Sequence, residues 1–92
     1  MDASWKLFAT LREAAGQAEV QVAVGTDGTV ADALEELLEE YPTLETDALD
    51  GNELRAHISV VHNGVRIDEP LASDRELADG DELALLPPLS GG

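Results

Sequence analysis

Between Thr29 and Tyr41 the chain carries its one long helical pattern, and its other apolar residues fall mostly in short alternating runs. Val30, Leu34, Leu37, Leu38 and Tyr41 share one side of about three turns. Thr29 is a good N-cap, with Asp32 three residues on as a weak capping box, and Pro42 is expected to stop the helix. A single amphipathic helix cannot bury its own stripe. Whatever surrounds it must offer a flat apolar partner.

The flanking segments offer one. Trp5 to Ala9 alternates and predicts a first strand, with Trp5, Leu7 and Ala9 on one face and Lys6 and Phe8 on the other. Leu11 to Gly16 predicts a helical turn stopped by glycine. Val20, Val22 and Val24 predict a second strand with one buried face. Thr43 to Ala56 reads as irregular, anchored by Leu44, Leu49 and Leu54. His57 to His62 predicts a third strand, Asn63-Gly64 a hairpin turn and Val65 to Ile67 a short fourth strand. Leu71 and Leu77 should pack back on the core. Glu82 to Leu86 predicts the last strand, stopped by Pro87-Pro88. A sheet whose apolar face one helix covers is an α+β roll.

With 92 residues there is room for one domain, set at 1–88, with 89–92 as a flexible C-terminal tail. A domain of this size leaves little room for a deep enzyme cleft. Twenty acidic residues against five basic ones give a net charge of −15, which repels phosphate backbones and anionic lipid; no nucleic-acid or membrane partner is expected. Two readings of the charge stay open: a dedicated basic partner, or a cytoplasm salty enough to screen it. The helix favours the second, because its outer face stacks the pairs Asp32/Glu36, Glu35/Glu39 and Glu36/Glu40. Each such pair costs roughly 0.2–0.5 kcal/mol at low salt. The chain has no cysteine, no signal-peptide pattern at its start and no apolar run of membrane length, so a cytoplasmic protein is expected.

No catalytic constellation emerges. His57 and His62 lie five apart on an extended strand and point to opposite faces, so both read as surface or strand-edge histidines, and no metal site is expected. Carboxylates are too abundant for any pair to stand out. Gly25 to Gly28 is too short and too acidic for a phosphate cradle. The tail differs. Pro87-Pro88 is stiff and extended, and Leu89-Ser90-Gly91-Gly92 follows with two residues that have no side chain. A Gly-Gly carboxylate can thread a narrow channel and is open to attack on ATP; taken alone, an incidental flexible end is the alternative. Phe8 is the other anomaly, an aromatic on the open face of the sheet, where Leu86 could join it if the first and last strands are neighbours; cover by Thr43–Ala56 is the alternative.

The block Leu7-Phe8-Ala9-Thr10-Leu11-Arg12-Glu13 followed by Gly16 resembles the opening of the small subunit of molybdopterin synthase. Leu77 to Gly92 is similar to that family's closing block. With its acidic surface the chain resembles the ubiquitin-like small archaeal modifier proteins of haloarchaea. The resemblance implies a β-grasp roll, a mixed sheet of about five strands with one main helix. It implies that the chain is not itself an enzyme. Gly92, with Gly91 giving access, would be adenylated by an E1-like activating enzyme that uses ATP; this chain would bind no cofactor. The adenylate would then be joined to target-protein lysines or become a thiocarboxylate for molybdopterin biosynthesis with the synthase large subunit. Phe8, Leu86, Pro87, Pro88 and Leu89 would face the partners. The free protein is expected to be a monomer. The alternative from another class is a non-catalytic acidic protein-interaction domain. Lys6 is the only lysine, so chains of the modifier could grow only there or at the N-terminus, and its place inside a strand argues for little chain formation.

The helix face carries a direct prediction. Screening shortens from about 10 Å at 0.1 M salt to about 3 Å at 1 M, so the melting temperature should rise steadily with salt across that range. A flat or falling series in thermal denaturation would contradict it.

Overall fold

The computed structural model describes residues 1–56 and 58–87. In chain order these form β1 (Asp2–Leu7), α1 (Ala9–Ala15), β2 (Glu19–Ala23), α2 (Val30–Glu40), α3 (Pro42–Ala48), β3 (Leu49–Asp50), β4 (Glu53–Leu54), β5 (Ser59–His62), β6 (Val65–Ile67) and β7 (Asp81–Leu86). A short 3-10 turn, Pro70–Ala72, lies between β6 and β7. The main sheet runs β2-β1-β7-β5-β6, and β3 and β4 pair as a separate small hairpin. β1 and β7 are parallel; β1–β2, β7–β5 and β5–β6 are antiparallel. The expected mixed sheet and principal helix are both present.

The core forms where α2 crosses the sheet. Val30, Ala33, Leu34, Leu37 and Leu38 of α2 are buried against Ala3, Trp5 and Leu7 of β1, Val20 and Val22 of β2, and Leu83 and Leu85 of β7. Burial of a large apolar side chain contributes roughly 1.5–3 kcal/mol, so this layer dominates stability. Trp5 is wholly buried, and its indole N–H donates to the Ala33 carbonyl at 3.1 Å, which satisfies the one polar atom the ring brings inside. The capping box at Thr29 is complete. The Thr29 hydroxyl accepts from the Asp32 N–H at 3.3 Å, and the Asp32 carboxylate accepts from the Thr29 N–H at 3.0 Å. Gly28 sits just before it because a Cβ there would lie 2.0 Å from Val24 Cγ1.

Three local expectations change. The first strand ends at Leu7, not Ala9: Ala9 takes φ +49° and the Leu11 N–H donates to the Phe8 carbonyl at 3.0 Å, which turns the chain into α1. Pro42 ends one helix only by starting the next. It occupies the first turn of α3, where a missing N–H costs nothing, so part of the segment expected to be irregular is helical. The rest of that segment forms the β3–β4 hairpin, with Leu49 paired to Leu54 and both packed on the core. Leu44 and Leu77 are buried and Leu71 packs against the core, as expected.

His62 also departs from its surface reading: it is buried, 5% exposed, on the core side of β5. Arg75 Nε–H donates to His62 Nδ1 at 2.8 Å, so that nitrogen carries no proton and Nε2–H donates to Asp81 Oδ2 at 2.7 Å. The loop that supplies Arg75 also caps α2, since the Val30 N–H donates to the Arg75 carbonyl at 2.9 Å. One imidazole thus ties β5, the start of β7 and the N-terminus of α2 together. His57 lies outside the described residues.

The Ala78 N–H, His62 and Asn63 hold the Asp81 carboxyl down to about 2 from its ordinary 3.8. A folded value below the unfolded one contributes stability that is complete above about pH 4 and lost as pH falls through about 2. Asp81→Asn is therefore expected to cost about 1–2 kcal/mol at neutral pH and to flatten the loss of stability between about pH 4 and pH 2. Urea titrations of both proteins at several pH values measure this; parallel acid limbs would disprove it.

Candidate docking surface and the root of the tail

The sheet has two faces, and α2 covers only one. Strand registers place Glu19, Lys6, Ala84, Val61 and Arg66 side by side across the uncovered face, one from each strand. Leu86 lies on the same face opposite Ser59. Ala84, Val61 and Leu86 are half-buried, forming a small apolar strip along β7 and β5.

Phe8 extends the strip. Its φ of −128° and ψ of 149° continue the extended alternation of β1, so its side chain leaves on the side of Lys6 and away from buried Leu7. The parallel register pairs Leu7 with Leu85, and carried one residue further it sets Phe8 level with Leu86. Phe8 is 42% exposed, so the Thr43–Ala56 segment does not cover it. The helix that follows is fixed from the other side, where the Thr43 hydroxyl donates to the Ala14 carbonyl at 2.7 Å.

The fold therefore brings together Phe8, Leu86 and the half-buried Pro87 at the end of β7, where the chain leaves the sheet. Pro88, Leu89, Gly91 and Gly92 lie outside the described residues. Val61, Ala84 and Arg66 belong to the same face but were not singled out from the sequence, whereas Lys6 was placed there beside Phe8. The alternation of β7 pointed to Ala84, whereas the uninterrupted Val60-Val61 pair does not reveal which valine faces outward.

Charge on this face is unlike the rest. Lys6 Nζ pairs with Glu82 Oε1 at 3.0 Å, with both side chains about half exposed. That hydrogen bond and the Glu82 charge raise the Lys6 ammonium above its ordinary range. The strand placement does not hide the amine. The N-terminal ammonium, by contrast, is engaged by the Val24 carbonyl at 2.9 Å. Arg66 makes no salt bridge among the described residues. Two of the chain's five basic residues thus border an apolar strip on a protein of net charge −15.

A mixed five-stranded sheet with its first and last strands parallel at the centre, packed on one principal helix, is the ubiquitin-like β-grasp arrangement. The chain belongs to the ThiS family, whose pattern matches residues 5–92. It is similar to Small archaeal modifier protein 1 of Haloferax volcanii, 49% identical over 89 residues that cover 96% of this chain and 98% of that one. It is also similar to the molybdopterin synthase sulfur carrier subunit of Drosophila melanogaster, 36% identical over 86 residues covering 92% and 84%. The crystal structure of SAMP1 from Haloferax volcanii superposes with a TM-score of 0.88 at 45% identity, with all of both chains covered.

The face assignment can be checked on adjacent residues. Leu7→Ala should cost about 2–5 kcal/mol as a core truncation, whereas Phe8→Ala should stay within about 0.5 kcal/mol. Equal losses in chemical denaturation would place Phe8 in the core.

Proposed function

We propose that this chain is a ubiquitin-like protein modifier and sulfur carrier that acts through the carboxylate of Gly92. An ATP-dependent enzyme of the E1-like class docks on the open face and draws the Leu89-Ser90-Gly91-Gly92 segment into its own site. The Gly92 carboxylate attacks the α-phosphorus of ATP and releases pyrophosphate. The acyl-adenylate is a mixed anhydride, reactive where the free carboxylate is inert. A sulfur donor then displaces AMP to leave a thiocarboxylate, which the large subunit of molybdopterin synthase uses. Alternatively, a lysine amine of a target protein takes the acyl group and an isopeptide bond forms.

The observation that carries this reading is the joint likeness to a modifier protein and to a sulfur carrier over nearly the whole chain. The geometry supports it. Phe8, Leu86 and Pro87 form an apolar path to the base of the tail, and exposed apolar residues grouped in this way mark docking surfaces. Lys6 and Arg66 at its margins fit a partner surface that is apolar at the centre and carries carboxylates at its rim. Neither sulfur transfer nor conjugation needs a cysteine in this chain. The sulfur is carried on the Gly92 carbonyl in the first, and the Gly92 acyl group is itself transferred from AMP to the amine in the second. ATP is the activating enzyme's cofactor.

Deletion of Gly91 and Gly92 tests the reading. The shortened chain should melt at the native temperature, while adenylation, thiocarboxylate and conjugates all disappear. The chain is recovered under denaturing conditions from a salt-adapted archaeal host and read by intact mass and by Gly-Gly remnants on lysines. A Ser90→Arg version shortens the tryptic branch, and the wild-type intact mass guards against Ser90→Arg blocking activation. Unchanged activity after deletion would sink the proposal. Loss of partner binding only with Phe8→Ala would instead favour the acidic interaction domain.

A further inference from the structure

Ala9 holds a left-handed backbone, φ +49°, at the first position of α1. Asp27, Asn63 and Glu69 share that region. Asp27 and Asn63 belong to the residue types that tolerate it, and Glu69 stands directly before Pro70, which disfavours the right-handed helical region. Ala9 has neither a side-chain group to offset the clash nor a proline after it. Directly before Ala9 stands Phe8, the chain's single phenylalanine and one of two large apolar side chains exposed among the described residues. The Phe8 peptide is pinned on both flanks. Leu7 N–H donates to the Ala18 carbonyl at 2.9 Å, and the Phe8 carbonyl accepts from Leu11 at 3.0 Å and from Arg12 at 3.3 Å. An unfavourable backbone beside an exposed aromatic calls for a functional reason, since strain persists only where the surrounding structure over-determines it.

We infer that Ala9 is a positioning residue: its left-handed backbone holds Phe8 as a preorganised anchor for an apolar pocket of the activating enzyme. The left-handed well open to alanine is small, so the peptide plane between Phe8 and Ala9 has one orientation. Glycine would sample a much wider region and leave only the two hydrogen bonds to the Phe8 carbonyl to hold that plane. An aromatic ring has only two side-chain torsions to order on docking, so backbone freedom at its root is the main entropy still to be lost. The inference rests on the reading that this enzyme docks on the open face.

The test uses the full chain and the purified activating enzyme, with ATP–pyrophosphate exchange as the readout. Phe8→Ala, Ala9→Gly and Ala9→D-Ala are compared, the last made by chemical synthesis because a D-residue favours the same positive φ. Ala9→Gly should keep the native melting temperature or exceed it, raise KM about 2- to 10-fold and leave kcat unchanged. Ala9→D-Ala should return KM to the native value. A native KM for Ala9→Gly beside a raised KM for Phe8→Ala would overturn the role of Ala9 and leave the docking reading standing. A native KM for Phe8→Ala would overturn both. A KM raised equally by Ala9→Gly and Ala9→D-Ala would also overturn the inference, because the retained φ would then not be what matters.

Discussion

The parallel pairing of β1 with β7 is the contact on which the rest of the structure depends. Trp5 beside Leu83 and Leu7 beside Leu85 join the two ends of the chain at the middle of the sheet. Closing so long a loop costs entropy before any contact returns it, so the pairing must be reinforced from several directions. The Asp2 N–H donates to the Asp79 carboxylate at 2.7 Å and the Gly80 N–H donates to the Asp2 carbonyl at 2.8 Å, clamping the start of β7 to the start of β1. From the covered side Trp5 reaches up to α2. One pairing therefore places the core, the helix and the end of the sheet at which β7 stops.

The same pairing brings Phe8 and the end of β7 to one edge of the sheet. Phe8 follows β1 and Pro87 follows β7, and because these strands run parallel both leave the sheet at the same end. The apolar path from Phe8 through Leu86 is a consequence of register, not of any local motif. The charge distribution follows it. Acidic side chains line the outer side of α2, away from the sheet, while Lys6 and Arg66 lie on the uncovered face. The uncovered face, where Glu19 and Glu82 accompany Lys6 and Arg66, is close to neutral, while the outer side of α2 is strongly negative.

The buried His62 network shows how a small domain stiffens a long connection. Residues 68–80 contain one short 3-10 turn and an isolated antiparallel bridge from Glu76 to Thr29, and they cap α2 through the Arg75 carbonyl and pair Leu77 N–H with the Gly28 carbonyl at 3.0 Å. The Arg75–His62–Asp81 chain fixes that segment by side chains where backbone pairing alone is sparse. Fully satisfied polar groups of this kind rigidify a core, and no buried side-chain nitrogen or oxygen among the described residues lacks a partner.

Local signals settled much of this protein from the sequence alone. Thr29, Asp32 and the leucine spacing set the start and the buried stripe of α2, Asn63-Gly64 set the hairpin, and the alternation of Trp5 to Leu7 and of Val20 to Val24 assigned inward and outward faces. These are short-range effects, written in residues a few positions apart. The family resemblance at Leu7–Gly16 and Leu77–Gly92 named the class. Tertiary structure decided what depends on distant partners. It ended β1 at Leu7 by turning Ala9 left-handed, let Pro42 begin α3, drew His62 inside to meet Arg75 and Asp81, and chose Val60 over Val61 for the core. It also assembled the open face, because strand order and register follow from which surfaces pack together, and no short stretch of sequence contains that information.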